Sequence, residues 1–147
     1  LKFRELRFIN RYDWIPVLTL GMVCYWLGES TWAIANLNTS GFQLVVWGFL
    51  IPTVALYHGT FSVNSLAHIF GKRKFKTSDE SRNNGIVSVI TLGEGWHNNH
   101  HFFPSSARQG FFRGQFDPTH RVIQILSYLG LVWDLNETPS WVRDKAI

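Results

Sequence analysis

Two long apolar stretches fill the first half of the chain, and from residue 72 onward short apolar runs alternate with polar and charged ones. Ile15 to Leu27 is almost wholly apolar, with Trp14, Tyr25, Trp26 and Trp32 towards its ends, where a membrane interface would hold aromatic rings. A helix needs about 20 residues to cross the hydrocarbon. The first candidate span is therefore Trp14 to Ala35, tolerating Glu29 and Ser30 near the far interface. The second runs from Gly41 to about Val63, with a kink expected at Pro52. The short polar turn Asn36-Leu37-Asn38-Thr39-Ser40 joins them, which predicts a membrane hairpin over residues 14–71. Residues 1–13 form a basic segment in which Lys2, Arg4, Arg7 and Arg11 alternate with Phe3, Leu6, Phe8 and Ile9, suited to lying along a membrane surface.

Residues 72–147 read as a cytoplasmic helical region. Thr77-Ser78-Asp79-Glu80 has the form of a capping box and predicts a helix running on through Ile86, Val87, Val89, Ile90 and Leu92. Residues 105–114 read as loop. Asp117 and Pro118 are good cap and first-turn residues for a helix whose apolar side carries Val122, Ile123, Ile125, Leu126 and Leu129, ending near Gly130. Residues 131–147 read as a short tail that frays. The fold class expected is an all-α membrane protein, a transmembrane helical hairpin plus a cytoplasmic helical cap.

Composition supports the membrane reading. Of the 147 residues 46% are hydrophobic, with seven tryptophans and twelve phenylalanines. All fourteen Lys and Arg lie outside residues 12–71, where Asp13 and Glu29 are the acids. Basic residues flank both spans and the turn between them has none, so the positive-inside tendency places both termini in the cytoplasm. The net charge of +4 then reflects polar ends of a membrane protein rather than nucleic-acid binding. Cys24 stands alone in an apolar stretch and reads as a buried thiol. Asn38-Thr39-Ser40 has the form of a glycosylation acceptor, but a tight polar turn explains it equally.

The candidate chemistry lies in Gly93-Glu94-Gly95-Trp96-His97-Asn98-Asn99-His100-His101-Phe102-Phe103-Pro104. On a helix His97, His100 and His101 leave from one side. The neighbours His100 and His101 point about 100° apart, which suits ligands of two adjacent metals. Upstream, Asn64 and His68 stand one helical turn apart; His68 could complete the ligand set and Asn64 could hold a metal-bound water. Imidazole suits Fe, Cu, Zn and Ni alike, so the residue types leave the metal open. No cysteine cluster, phosphate loop, serine elbow or His-Glu-x-x-His pattern is present. Glu94 reads either as a partner orienting an imidazole or as a carboxylate at the positive end of a helix. His58 reads as a hydrogen-bonded polar residue in the second span, and His120 as an exposed residue in a first helical turn.

These motifs resemble the C-terminal half of a membrane fatty acid desaturase, in the bacterial branch of the stearoyl-CoA (delta-9) acyl desaturase group. Asn64-Ser65-Leu66-Ala67-His68, the run Asp79 to Asn84, Ser106-Ala107-Arg108-Gln109-Gly110 and Gly130-Leu131-Val132-Trp133-Asp134 carry the likeness beyond the His-x-x-His-His box. The resemblance implies a di-iron, O2-dependent insertion of a cis double bond into a fatty acyl chain. It implies that His68, His97, His100 and His101 are iron ligands, that Asn64 binds iron through a water, and that no further catalytic residue is needed. Thr60 and Phe61 match positions that shape the acyl tunnel, with Phe61 in place of a tryptophan found in animal relatives. The implied partners are an acyl-CoA or acyl-lipid substrate, O2, and a separate electron donor of ferredoxin or cytochrome b5 type. The implied location is a multi-pass protein of the bacterial inner membrane.

The family also has two earlier histidine boxes and an earlier hairpin that these residues do not contain. The chain is therefore expected to be a fragment or truncated product, inactive alone. A membrane di-iron lipid hydroxylase and a non-catalytic membrane remnant are the other classes compatible with the residues.

Overall fold

The computed structural model describes residues 3–147, so Leu1 and Lys2 of the basic segment lie outside the described residues. All named elements are helical: α1 (Arg4–Arg11), α2 (Trp14–Gly28), α3 (Thr31–Leu37), α4 (Gly41–Val45), α5 (Ile51–Ile69), α6 (Gly85–Ile90), α7 (His97–Phe102), α8 (Pro118–Tyr128) and α9 (Ser140–Asp144). They fall into two compact units, Leu1–Tyr57 and His58–Ile147, divided within α5.

In the first unit α1 is exposed along its whole length. The expected first span over residues 14–35 is two helices rather than one. α2 stops at Gly28, and the Ser30 hydroxyl caps α3 by accepting from Ala33 N at 3.2 Å. With 15 residues, α2 is shorter than the roughly 20 that a crossing needs. α4 begins with a capping box in which Ser40 and Gln43 satisfy each other's backbone N–H. Glu29 Oε1 adds a bond from Gly41 N at 2.8 Å, so the acid in the apolar stretch caps the neighbouring helix. Here α2 and α4 approach so closely that a Cβ on Gly28 would stand 2.6 Å from the Ser40 carbonyl oxygen. Only glycine fits.

α4 continues through one wide π turn, Val46–Leu50, into α5. The cause is Pro52, which has no N–H to give the preceding turn. Thr53 Oγ1 donates back to the Phe49 carbonyl one turn earlier at 2.6 Å. The resulting helix, Gly41–Ile69, has 29 residues and is, among the described residues, the one long and apolar enough to cross a membrane.

The second unit is organised differently. Phe75, Phe111 and Val142 form a small core, with Phe102, Phe103, Phe112 and Ala146 packed against it. Val142 belongs to α9, so the tail expected to fray is folded; its burial against two phenylalanines outweighs fraying. The expected capping box at residues 77–80 opens no helix. Those residues form a loop, and α6 starts at Gly85 with Asn84 Oδ1 accepting from Ile86 N and Val87 N at 3.1 Å. Asp117 does cap α8, accepting from His120 N at 3.0 Å. His120 is not exposed as expected but 3% accessible, with Nε2 standing 3.7 Å from Glu137. That partner, Glu137, belongs to the tail beyond α8.

Candidate metal centre

The centre is built on α7, and α7 is held by the amides between its histidines. Helical periodicity sends Asn98 and Asn99 to the side opposite His97 and His101. Both amides are fully buried. Asn98 Oδ1 accepts from Lys74 N and Phe75 N, both at 2.7 Å, and its Nδ2 donates to the Phe75 carbonyl at 3.1 Å. Asn99 exchanges bonds with the Asn83 side chain at 2.6 and 3.2 Å and donates to Gln109 O at 2.7 Å and Gln115 Oε1 at 2.8 Å. Phe102 stacks on Phe75 with ring centroids 4.3 Å apart. At the entry to α7, a Cβ on Gly95 would lie 2.1 Å from Ser88 N, so the chain turns where no side chain fits.

So anchored, α7 turns His97 and His101 towards His68 in the last turns of α5. One ring nitrogen from each of the three lies within 4.8 Å of the others. His68 Nε2 and His97 Nε2 are 3.0 Å apart, and the His97 and His101 rings are 4.3 Å apart at their centroids. Burial pushes His97 down to about 4, helped by the imidazoles of His101, His68 and His100, so its ring is neutral with a lone pair to give. His101 Nδ1 lies 2.6 Å from Asp79 Oδ2. Burial works to raise the Asp79 carboxyl, but hydrogen bonds from Ser81 and the contact with His101 outweigh it and hold it well below the usual carboxylate range.

His100 follows α7 round to a different side. Its ring centroid is 6.3 Å from His97 and 5.8 Å from His101, and it stands outside the three-imidazole group. Asn64 is exposed on α5, one turn before His68. Thr60 and Phe61 are exposed one turn earlier still. His58 is exposed on the same helix, and Glu94 is exposed ahead of α7. The carboxylate that meets an imidazole is Asp79, 22 residues away in sequence from its partner. No local spacing could have shown it.

The fatty acid desaturase profile matches residues 1–112. The chain belongs to the fatty acid desaturase family. It is 43% identical over 105 residues to an acyl-CoA C20 Delta5-desaturase of Anemone leveillei, covering 71% of the chain and 33% of the relative. It is 37% identical over 129 residues to Delta-9 acyl-lipid desaturase 1 of Arabidopsis thaliana, covering 88% and 38%. With the sn-2 palmitoyl-lipid 9-desaturase of Nostoc sp. (strain 36) it shares 36% identity over 131 residues, covering 89% and 42%. The chain thus spans about a third to two fifths of the length of these curated relatives.

Desaturases of this family are generally di-iron proteins, and the donor set fits such a metal. Two imidazole nitrogens on neighbouring positions of one ion, each about 2.1 Å from it, stand about 3 Å apart. His68 and His97 stand at that spacing. A hydrogen bond between the two rings would have the same length, but it gives no reason for a third imidazole nitrogen to converge on the pair. The Asp79 carboxylate behind His101 is the arrangement that orients a ligating imidazole.

Proposed function

We propose that this chain carries part of the iron centre of a membrane acyl desaturase that inserts a cis double bond at the delta-9 position. The convergence of the His68, His97 and His101 nitrogens within 4.8 Å of one another carries the reading. These three would hold one iron, His100 would serve a second, and Asn64 would bind iron through a water. When bound, iron and O2 supply the oxidising power that an unactivated C–H bond requires. The four imidazoles do not complete the ligand set of two irons, so the reading calls for further histidines beyond these 147 residues. By itself the chain is expected to bind metal without completing the reaction.

The long helix supports the placement in a membrane. Its 29 residues exceed the roughly 20 that a crossing of the hydrocarbon needs. The final turns, with Asn64 and His68, then project past the apolar layer on the side of the basic residues 72–76. Both termini lie on that cytoplasmic side, α2 packs against α4 at the start of the long helix, and further spans make the protein multi-pass. Thr60 and Phe61, one turn before Asn64, bound the path of an acyl chain carried on CoA or on a lipid. Electrons come from a separate ferredoxin or cytochrome b5 type donor.

Iron per chain, measured on detergent-purified protein after anaerobic loading with Fe(II), tests the site. The wild type is expected to retain iron and the His97→Ala plus His101→Ala form to lose it; equal content in both would end this reading. For the reaction, cells making the protein are fed deuterated stearate. A labelled monoene that disappears in the double mutant supports desaturation, whereas a labelled alcohol in its place makes the protein a hydroxylase.

A further inference from the structure

We propose that Asp79 is a positioning residue that selects the tautomer of His101, and that Asn98 ties Asp79 to the histidine helix so that carboxylate and imidazole move as one body. The proposal rests on the reading of His101 as a metal ligand. It names a role for two residues outside the ligand set.

The geometry starts at the carboxylate. An ionised Asp79 can only accept, so at 2.6 Å from His101 Nδ1 it requires the proton to sit there. Nε2 is then left with a free lone pair, and it is the atom that must face a metal. Held the other way, with hydrogen on Nε2, the ring could not ligate through that nitrogen.

The carboxylate is itself fixed. Its Oδ1 accepts from Ser81 N at 2.8 Å and lies 3.2 Å from Thr77 Oγ1. Arg73 Nη2 donates to the carbonyl oxygens of Asp79 at 2.7 Å and Thr77 at 3.0 Å, bracing the loop from outside. From inside, Asn98 Nδ2 reaches Thr77 Oγ1 at 3.3 Å and Ser81 Oγ at 3.4 Å. Asn98 stands between the histidines of α7, so the helix that presents His101 also grips the loop that aims it. A solvated acid meeting a histidine by chance would have no such brace.

Asp79→Asn is the discriminating variant, because its Oδ1 can still accept from Ser81 while an NH2 group now faces His101. The donor there favours hydrogen on Nε2 instead. Histidine 15N shifts in the metal-free, 15N-His-labelled full chain, followed with rising pH until they stop changing, read this directly. The His101 signal is assigned by its loss in His101→Ala. It should report Nδ1–H in the wild type, Nε2–H in Asp79→Asn and no strong preference in Asp79→Ala. Co(II) titration followed by visible absorption should show about 10–100-fold weaker binding in Asp79→Asn. Glu80→Gln, which alters the adjacent exposed carboxylate, should leave both readouts unchanged. A His101 tautomer that stays the same in Asp79→Asn, with circular dichroism unaltered, overturns the proposal. Should the wild type bind no Co(II), the iron reading fails while the 15N shifts still decide what Asp79 does.

Discussion

The two units solve the problem of holding a chain together by opposite means. In Leu1–Tyr57 large apolar side chains face outward: Trp26 is 71% exposed, Phe42 73% and Trp47 70%. What is buried there is small, namely Cys24, Gly28, Ala33 and Gly41. There α2 and α4 touch through glycines rather than through a side-chain core. In His58–Ile147 the buried set is largely polar: Ser81, Asn83, Ser88, His97, Asn98, Asn99, Asp117 and His120. Short helices and loops are fixed there by side-chain amides bonded to backbone. A network of that kind is costly to break, because each lost partner strands a buried group. It also places a side chain more exactly than apolar contact does, which is what converging imidazoles require.

The sharpest way to break the contrast is Asn98→Ala. It strands the N–H groups of Lys74 and Phe75 and the Phe75 carbonyl, and should cost about 3–5 kcal/mol. Hydrogen-exchange mass spectrometry in detergent should show faster exchange across residues 70–115 and none of the change in α2; uniform loosening would show that the units are not separate. Next comes Gly28→Ile, whose Cβ meets the Ser40 carbonyl oxygen at 2.6 Å. Overpacking of this kind costs about 1–3 kcal/mol, and exchange should rise in α2 and α4 while Co(II) affinity stays as it was. Val142→Ala removes two methyl groups from a fully buried site and should lower stability to denaturant by about 1–2 kcal/mol. A smaller loss would mean that the apolar core contributes less than the amide network. The least effect is expected from Glu80→Gln. Its pairs with Arg73 at 3.2 Å and Arg82 at 3.6 Å involve a carboxylate 68% exposed, and should be worth less than about 1 kcal/mol by the same measurement.

Much of the candidate site was legible because its spacing is local. His97 and His101, four apart, share one side of α7, as Asn64 and His68 share one turn of α5, whereas His100 turns away from the side expected of it. The cap at Asp117 and the long apolar helix from Gly41 were legible for the same reason. Where local rules competed, they misled. Thr77-Ser78-Asp79-Glu80 has the residues of a helix start, yet Arg73, Asn98 and His101 bind that loop in another shape. Glu94, three residues before His97, reads equally as an imidazole's partner and as a carboxylate at a helix end; it is exposed, and the carboxylate beside His101 is Asp79.

Periodicity and cap chemistry depend on neighbours within about four residues, and the sequence alone therefore determined the helical class, the apolar stretches and the clustering of histidines within α7. Which imidazoles meet was decided by tertiary structure. So were the burial of His120, the packing of Val142 and the pairing of Asp79 with His101. Each joins residues 17 to 67 positions apart through side-chain contacts or packing with no period along the chain. Only the folded backbone brings such groups within reach.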